Sequence, residues 1–334
     1  MNIAINGFGR IGRQALRIVL EKHPDLRVVA INDLTDGASL AHLFEFDSTY
    51  GRYDADVSFK DGKLITKHGE IVLTAEKDPS LLPHKAMNVD IVLECTGKFV
   101  KREDAALHLK AGAKKVIISA PGKDEIDGTF VIGVNLETYD PKTMHVVSNA
   151  SCTTNCLAPM AKVLHDSFGI QCGLMTTIHS YTNDQKLLDL PHKDLRRARA
   201  AAINMIPTST GAAKAIGLVI PSLKGKMNGI SVRVPTPTGS ITDLCVVLEK
   251  KVTTEEVNAA FEKAANGSMK GILGYETRPL VLQDYVMDPR SSIIDAPLTQ
   301  VIDGTLVKVF SWYDNEWGYS NRLVELAEHM GKSL

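Results

Sequence analysis

The sequence predicts an α/β fold for residues 1–150 and an α+β fold, built on a mostly antiparallel sheet, for the residues that follow. In the first part, short apolar runs alternate with one-sided helical patterns, which is typical of a parallel sheet covered by helices. In the second part, β-rich runs follow one another with few helical stretches between them. We therefore expect domains at 1–150 and 151–315, with a final helix within 316–334 that completes the first domain.

The bulk composition is that of an ordinary soluble globular protein. The 334 residues are 44% hydrophobic and 23% charged, with a net charge of −1. This balance gives no attraction to nucleic acids or acidic membranes, and no apolar run is long enough to span a bilayer. The chain begins directly with a strand pattern, so we expect no targeting segment. Five cysteines, an odd number without framework spacing, favour a reducing, cytoplasmic location.

The first element is a short apolar strand at residues 2–6 that runs into a glycine-rich turn, followed by a helix and a second strand at 26–32. Gly7 allows the tight turn, Gly9 lets the backbone approach a pyrophosphate, and Gly12 lets the helix pack closely. Asp33 stands 21 positions after Gly12, where it can accept from ribose hydroxyls and would repel a 2′-phosphate. A glycine-rich turn alone also occurs without a ligand. In this context it predicts a Rossmann-type, doubly wound dinucleotide-binding domain that prefers NAD.

The rest of the first domain is read as further strands around one helix. We expect the strands at 71–75, 90–95, 115–120, 130–134 and 145–148, and the helix at 103–111. The strand ends at Thr96, Gly97 and Ser119 lie where an open α/β sheet lines its ligand crevice. Each of them taken alone also fits an ordinary turn.

The second domain is predicted to be an α+β catalytic domain. We expect its strands at 172–180, 229–234, 241–250 and 306–312, and its helices at 210–219 and 254–265. The second helix opens with a possible capping box from Thr253 to Glu256. Residues 181–205 are long and polar with few structural signals, which indicates a loop used for subunit contact or for walling a ligand.

The stretch S-N-A-S-C-T-T-N-C at 148–156 carries the strongest chemical signal. It reads as a strand end, a polar turn and a helix start, where a helix dipole favours a thiolate at Cys152. The hydroxyls of Ser151, Thr153 and Thr154 could hold an anion beside the sulfur. On spacing alone, Cys152 is equally well a small buried apolar residue. A zinc site with Cys156 is excluded, because this spacing supplies two ligands at most and no second cluster follows, so we expect no metal.

A thiolate joined to a dinucleotide domain suggests oxidation of an aldehyde through a thiohemiacetal. That chemistry needs a base near the sulfur. His179 is the best candidate, since it ends the apolar strand at 173–178 where its side chain can face a cleft. Position alone leaves open a purely structural histidine.

Six motifs carry a family resemblance that runs essentially from end to end. They are N-G-F-G-R-I-G-R at 6–13, the stretch at 148–156, H-S-Y-T at 179–182, S-T-G-A-A-K at 209–214, R-V-P-T-P at 233–237 and W-Y-D-N-E-W-G-Y at 312–319. Together they resemble phosphorylating glyceraldehyde-3-phosphate dehydrogenase. The S-C-T-T-N-C block is highly specific to this family and its erythrose-4-phosphate relatives.

The resemblance implies roles for individual residues. Cys152 matches the nucleophile and His179 the base. The substrate's own phosphate is matched by Thr182, Arg197 and Arg233. The attacking inorganic phosphate is matched by Ser151, Thr153, Thr210 and Gly211. The cofactor contacts are matched by Arg10, Ile11, Asp33, Lys77 and Ser119, and by Asn315 with Tyr319 nearby at the nicotinamide.

The implied reaction converts D-glyceraldehyde 3-phosphate, NAD and phosphate reversibly into 1,3-bisphosphoglycerate and NADH. The family is a homotetramer whose S-shaped loop, here 181–205, lines the neighbouring subunit's cofactor. Lys77 departs from the arginine that many members carry, and loses the flat guanidinium that stacks on adenine. Leu34 and Pro191 resemble NAD-specific members. We expect no nucleic-acid partner for the basic run at 196–199, because it lacks interleaved aromatic residues.

Three alternatives remain. Erythrose-4-phosphate dehydrogenase performs the same chemistry on a longer sugar, and its sequences depart from this pattern in the stretch at 209–213. A non-catalytic NAD-binding protein would have little use for both Cys152 and His179. A non-phosphorylating aldehyde dehydrogenase usually lacks paired phosphate sites.

Overall fold

The structure is a computed structural model that describes residues 1–53 and 56–334. The chain divides into two compact units. Unit 1 comprises Met1–Phe130, Glu137–Ala150 and Ser320–Leu334, and unit 2 comprises Val131–Leu136 and Ser151–Tyr319.

Unit 1 is built on one sheet in which the apolar runs of the sequence form the strands. These are β1 (Asn2–Asn6), β2 (Arg27–Asn32), β3 (Ser58–Lys60), β4 (Lys63–Thr66), β5 (Gly69–Thr74), β6 (Ile91–Glu94), β7 (Lys115–Ile118), β8 (Gly128–Thr129) and β9 (Val146–Ser148). The sheet order is β3-β4-β5-β2-β1-β6-β7-β9-β8. From β5 to β8 all neighbours are parallel, and the hairpin β3–β4 adds an antiparallel edge.

The helices of unit 1 connect these strands. They are α1 (Arg10–Lys22), α2 (Gly37–Glu45), α3 (Arg102–Ala105) and α4 (Leu107–Lys110). Strands β6 and β7 are buried at every residue, as expected of parallel strands covered on both faces. The strand order reverses beside β1, which is the switch point where a doubly wound sheet binds its ligand.

Unit 2 packs three helices on a second sheet. The helices are α5 (Cys152–Phe168), α6 (Ala212–Val219) and α7 (Thr254–Asn266). The strands are β10 (Ile170–Ser180), β11 (Ile206–Ser209), β12 (Met227–Val234), β13 (Ser240–Leu248), β14 (Leu273–Glu276), β15 (Ser292–Asp295), β16 (Gln300–Ile302) and β17 (Leu306–Tyr313). Their order is β11-β12-β10-β13-β17-β15-β14, with β16 beside β17. Only the pairs β10–β12 and β14–β15 are parallel.

Local sequence signals explain how these elements begin and which face they bury. The predicted capping box of α7 is confirmed, since the Thr253 hydroxyl accepts the Glu256 N–H and the Glu256 carboxylate accepts the Thr253 N–H. In β13 every second residue is buried, as in a strand with one face against helices. The last helix, α8 (Trp317–Gly331), belongs to unit 1 from Ser320 onward. The predicted fold class, a Rossmann-type domain followed by an α+β domain with a mostly antiparallel sheet, is confirmed.

Some predicted elements differ from the structure. The strand predicted at 130–134 is wrong: β8 ends at Thr129, and the Val134 N–H turns back to the Val131 carbonyl at 3.0 Å around Gly133, whose φ is +85°. The helix predicted at 103–111 is two single turns, α3 and α4. The helix predicted from 210 begins at Ala212. Sequence reasoning missed α2 and the hairpin β3–β4, since β3 is short and exposed throughout.

The segment 181–205 folds on itself. It contains the 3₁₀ turn Ala201–Ile203 and one isolated bridge, in which the Ala201 N–H donates to the Lys186 carbonyl at 2.9 Å. Several large apolar side chains of the segment are exposed, namely Leu187, Leu188, Leu190, Leu195, Ile203 and Met205. Exposed apolar surface of this kind is typical of a site that contacts another molecule.

No helix within 1–53 and 56–334 has the length and apolar character needed to cross a bilayer.

Candidate active site

A pocket of about 520 Å³ lies in unit 1 at the carboxyl ends of β1, β2 and β6. It is lined by Asn6, Gly7, Gly9, Asn32, Asp33, Leu34, Glu76, Lys77, Cys95, Thr96, Lys98 and Phe99. Five predicted cofactor residues therefore meet in one pocket: Gly7, Gly9, Asp33, Lys77 and Thr96.

The three glycines of the turn have distinct local reasons to be glycine. Gly7 has a φ of +91°, and a Cβ there would lie 2.7 Å from the Thr96 backbone nitrogen. A Cβ on Gly12 would lie 2.2 Å from the Gly7 carbonyl oxygen. A Cβ on Gly9 would meet nothing within 4 Å. Gly7 and Gly12 thus serve the fold, whereas Gly9 leaves open space beside the start of α1, where helix N–H groups favour an anion.

Asp33 is held as a carboxylate at the end of β2. Its Oδ2 accepts the Phe8 N–H at 2.8 Å and its Oδ1 accepts the Thr35 N–H at 3.0 Å. Burial raises the pKa of Asp33, but these hydrogen bonds outweigh it and bring the pKa below its ordinary value. A charged acceptor in this position fits ribose hydroxyls and repels a 2′-phosphate.

The other predicted cofactor residues of unit 1 do not line this pocket. Arg10 begins α1, but its guanidinium donates to Asp47 and lies over the Tyr50 ring, 5.4 Å from the centroid. Ile11 and Gly12 follow it in the first turn of α1. Gly97 has a φ of +68° with open space around its Cβ position. The Ser119 hydroxyl faces the thiol of Cys95.

A buried polar network behind the pocket was missed by sequence reasoning. Glu94 Oε2 accepts Asn6 Nδ2 at 2.5 Å and lies 3.1 Å from His108 Nε2, and its Oε1 accepts the N–H and the hydroxyl of Thr96. His108 Nδ1 in turn lies 3.0 Å from His84 Nε2. Asn6 Oδ1 accepts Asn32 Nδ2 at 2.8 Å, and Asn32 Oδ1 accepts the Glu76 N–H and the Thr74 hydroxyl. The asparagines at the ends of β1 and β2 were the available signal.

In unit 2, Cys152 is the first residue of α5 and Ser151 caps that helix. Ser151 Oγ accepts the Thr154 N–H at 3.0 Å, which is the ordinary N-cap hydrogen bond. The Cys152 side chain is half-buried at the end of the helix that carries positive partial charge.

The structure brings the predicted nucleophile and base together. Cys152 Sγ lies 3.4 Å from Nε2 of His179, which is the second-last residue of strand β10. His179 Nδ1 lies 2.7 Å from the Ser180 carbonyl oxygen and 2.5 Å from Arg233 Nη1. The carbonyl can only accept and the guanidinium can only donate, so these two neighbours of Nδ1 favour opposite tautomers. In the tautomer whose Nδ1 proton is taken by the carbonyl, Nε2 is unprotonated and faces the thiol.

The environment keeps both groups neutral. Burial, and next the Arg233 charge, lower the pKa of His179 to about 3. Burial raises the pKa of the Cys152 thiol, although Arg233 and hydrogen bonds from the Thr153 hydroxyl and backbone act to lower it. The position of Cys152 at a helix start led us to expect a thiolate. Desolvation outweighs that effect of the helix. A neutral imidazole beside a neutral thiol is an acid–base pair ready for proton transfer.

Tyr313 was not predicted, yet it supports this pair. Its hydroxyl lies 3.0 Å from Thr153 Oγ1 and 2.8 Å from Thr177 Oγ1, and its ring meets the His179 ring edge-on at 6.0 Å between centroids. Burial raises the pKa of Tyr313, so the phenol stays protonated. The signal available was its place inside the W-Y-D-N motif.

Two arginines lie near each other beside the pair. Arg197 lowers the pKa of Arg233, after the larger effect of burial, so their charges interact. Arg197 donates to Asp184 Oδ2 at 2.6 Å and to Thr208 Oγ1 at 2.8 Å. Arg233 also donates to the Ser180 carbonyl at 3.2 Å, while its Nε is buried without a hydrogen-bond partner.

The other predicted phosphate-binding residues lie in turns. The local hydrogen bonds that they make do not use all of their polar groups. The Thr182 N–H donates to Gln185 Oε1 at 3.2 Å. Thr210 Oγ1 accepts the Ala212 N–H at 3.2 Å at the start of α6. Gly211 caps α6 with open space around its Cβ position.

Asn315 and Tyr319 belong to unit 2 by their contacts. Both are buried, and Asn315 Oδ1 accepts hydrogen bonds from Ser180 Oγ and Ser240 Oγ.

Within the described part of the chain, no group of three or more metal-ligating side chains occurs. Cys156 faces Ser292 and Ser311 instead.

Comparisons with known proteins agree with this arrangement. The family model described as "Glyceraldehyde 3-phosphate dehydrogenase, NAD binding domain" matches residues 1–102, and that of the C-terminal domain matches residues 151–315. The chain is 62% identical to glyceraldehyde-3-phosphate dehydrogenase of Geobacillus stearothermophilus over 330 residues, which are 99% of this chain and 98% of the relative. It is 59% identical to glyceraldehyde-3-phosphate dehydrogenase 1 of Bacillus subtilis over 99% of this chain and 98% of the relative. For the Mycobacterium bovis enzyme of that name the identity is 57%, over 100% and 99%.

Two family models that together span most of the chain, and relatives matched over almost their full length, lead to one conclusion. The chain belongs to the glyceraldehyde-3-phosphate dehydrogenase family.

Proposed function

We propose that this chain oxidises D-glyceraldehyde 3-phosphate to 1,3-bisphosphoglycerate with NAD and inorganic phosphate, reversibly, in glycolysis or gluconeogenesis. The observation that carries the proposal is the Cys152–His179 pair. A thiol sulfur lies 3.4 Å from an imidazole nitrogen, with the Arg233 guanidinium 2.5 Å from the other ring nitrogen. A nucleophile with an adjacent base is what covalent catalysis on a carbonyl requires.

The pair supplies the covalent and proton-transfer steps. Cys152 Sγ adds to the aldehyde carbon while its proton passes to His179 Nε2, which gives a thiohemiacetal oxyanion facing the imidazolium N–H. NAD, when bound, supplies the acceptor for the hydride that leaves this carbon. Loss of the hydride leaves a thioester on Cys152, which inorganic phosphate then attacks with release of the sulfur. These steps need the tautomer with the proton on Nδ1, and the Ser180 carbonyl accepts that proton.

The predicted site residues of unit 2 include groups suited to phosphate. Arginine side chains, hydroxyls and helix-start N–H groups are the usual phosphate ligands. We assign the substrate's own phosphate to Thr182, Arg197 and Arg233. We assign the inorganic phosphate to Ser151, Thr153, Thr210 and Gly211.

The residues of unit 1 fit NAD. The charged carboxylate of Asp33 suits the adenosine ribose, and the open space at Gly9 suits a pyrophosphate beside the start of α1. Thr96 is assigned to a cofactor contact within the pocket of unit 1, and Arg10, Ile11, Gly12, Gly97 and Ser119 are assigned to cofactor contacts outside it. Lys77 is assigned to the adenine side, and Asn315 with Tyr319 to the nicotinamide. We propose that residues 1–150 with the C-terminal helix form the NAD-binding domain, and residues 151–315 the catalytic domain.

We further propose that the chain works as a homotetramer in the cytoplasm. The apolar side chains exposed along 181–205, and Leu174 and Ile230 exposed on the sheet of unit 2, support burial against other copies of the chain. All five cysteines are free, which supports a reducing compartment. Sedimentation analysis would test the oligomeric state.

The experiment that tests the function follows NADH formation from glyceraldehyde 3-phosphate with and without inorganic phosphate, beside a Cys152→Ser variant. We expect turnover that depends on phosphate and falls at least about 10³-fold in the variant. The matched control is Cys245→Ser, which alters a cysteine far along the sheet from His179 and should retain turnover.

Other outcomes would point elsewhere. Turnover indifferent to phosphate would move the chain to the non-phosphorylating class. Faster turnover of erythrose 4-phosphate would favour the longer sugar. No turnover with NAD still bound would favour a binding protein.

A further inference from the structure

Two buried hydroxyls converge on the side chain of Asn315. Ser180 Oγ lies 2.9 Å and Ser240 Oγ 3.0 Å from Asn315 Oδ1. All three residues are buried, with exposed fractions of 0%, 1% and 6% in that order. Ser180 ends β10, Ser240 begins β13, and Asn315 is the second residue after Tyr313, the last of β17. The Nδ2 group of Asn315 has no hydrogen-bond partner among the residues that the structure describes.

A count of protons fixes the orientation of this amide. With Oδ1 turned inward, each serine hydroxyl proton has an acceptor, and Ser240 Oγ can also accept the Ser180 N–H at 3.3 Å. With the amide reversed, Nδ2 would donate to both hydroxyls. Both hydroxyl protons would then be buried without an acceptor, which disfavours this orientation. The serines therefore hold the carbonyl inward and leave the NH₂ group as the free end.

We infer that Ser180 and Ser240 are positioning residues for the cofactor. They fix the Asn315 amide so that it presents an N–H donor to the carboxamide oxygen of the nicotinamide. The inference rests on the proposed function, in which Asn315 contacts that carboxamide. Neither serine touches a reacting atom, so both act through Asn315.

Ser180 has two tasks in this arrangement. Its backbone carbonyl lies against Nδ1 of His179, and its side chain orients Asn315. Replacement by alanine removes only the second task, because the backbone is unchanged. The effect of the side chain on the cofactor can therefore be measured without altering the base.

The test uses two dinucleotides that differ at the carboxamide. 3-Acetylpyridine adenine dinucleotide keeps the carbonyl of NAD and carries a methyl group in place of the NH₂. An Asn315 amide locked with its donor outward recognises both, because both offer a carbonyl oxygen. An amide free to turn can also accept from the NH₂ of NAD, but finds no donor on the analogue.

We expect the dissociation constants, measured by titration calorimetry on the full chain, to change unequally. In the double variant Ser180→Ala/Ser240→Ala, the dissociation constant of the analogue should rise about fivefold to tenfold more than that of NAD. A difference of this size corresponds to one hydrogen bond. Each single variant should show part of this change. The matched control is Ser231→Ala, which removes a buried hydroxyl of β12 that has no hydrogen-bond partner, and the ratio should stay unchanged.

Equal weakening of both dinucleotides, or no weakening of either, would overturn the inference while leaving the proposed function intact. Circular dichroism of the variants checks that they fold. If the unsubstituted chain bound neither dinucleotide, the proposed function itself would fall, and the inference with it.

Discussion

The buried polar network of unit 1 and the catalytic cluster of unit 2 are built on opposite plans. In unit 1, the Glu94 carboxylate accepts from Asn6 and from both donors of Thr96, and His108 completes its shell. In unit 2, the Arg233 guanidinium lies against His179, and one of its nitrogens is buried without a partner. Donors meet acceptors around Glu94, although His84 Nδ1 at the far end of that network is buried with no partner among the described residues. The second cluster holds a guanidinium directly against an imidazole.

The difference separates stability from chemistry. A closed hydrogen-bond network in low dielectric stabilises the fold and fixes the strand ends around the cofactor pocket. In the catalytic cluster, burial raises the pKa of Cys152 and lowers that of His179. Such shifts do not stabilise the fold and are typical of groups that take part in a reaction. Substitutions in unit 1 should therefore lower stability first, and substitutions in unit 2 should lower turnover first.

The largest effect is expected from His179→Gln. Loss of the base should lower kcat about 10²-fold to 10⁴-fold, because the thiol proton has no acceptor. The free energy of unfolding should change by less than about 1 kcal/mol, since the imidazole next to Arg233 contributes little stability. Steady-state kinetics and urea unfolding measure the two quantities.

The matched control for this substitution is His165→Gln. His165 also lies in unit 2, where it accepts the Ile170 N–H and faces Ser222, away from the thiol. Its kcat should stay near that of the unsubstituted chain. A His179 variant that lost stability in proportion to turnover would break the comparison between the two clusters.

The second effect is expected from Glu94→Gln. The NH₂ group of the glutamine would face the Asn6 or Thr96 donors, which contact a carboxylate oxygen in the unsubstituted chain. The free energy of unfolding should therefore fall by about 3–5 kcal/mol. Turnover at saturating NAD should be nearly unchanged, because Glu94 belongs to the network behind the pocket and not to the Cys152 pair.

Glu45→Gln provides the control for Glu94. Glu45 pairs with the exposed Arg52, and an ion pair of this kind is worth less than about 1 kcal/mol. A loss of kcat larger than the loss of stability in Glu94→Gln would mean that the unit 1 network has a catalytic task.

The two clusters also differ in how far they could be predicted. Cys152 and His179 were identified from a helix start, a strand end and a family motif, and the sequence patterns also predicted the parallel sheet and the α7 capping box. Their 3.4 Å separation could not be predicted, because the chain between them sets it through the packing of α5 on β10 and β13.

The unit 1 network was hidden for a different reason. Glu94, His108 and His84 lie on separate elements. No local spacing links Glu94 to His108, 14 residues further on, or His108 to His84, 24 residues before it. The false strand at 130–134 has a similar origin, because an apolar run bends where Gly133 adopts a positive φ that alternation does not reveal. Pairing that depends on tertiary packing is not written in a local pattern.

The smallest effect is a pH dependence of stability carried by His84. Burial, and next the neighbouring His108, lower the pKa of His84 to about 4 in the folded chain, against about 6.5 when unfolded. The unfolded chain therefore binds more protons between these values, so this contribution is complete above about pH 6.5 and is lost as the pH falls to about 4. Its size is at most about 3 kcal/mol.

Urea unfolding at pH 7.0 and pH 4.5 measures this contribution in the unsubstituted chain and in His84→Gln. We expect the variant to lose about 2 kcal/mol less over that interval, since glutamine keeps a donor for His108 but does not titrate. His68→Gln, at an exposed turn, should lose as much as the unsubstituted chain. Equal losses in all three proteins would show that the folded network accepts a proton at His84 without cost, and that unit 1 is less closed than its hydrogen bonds indicate.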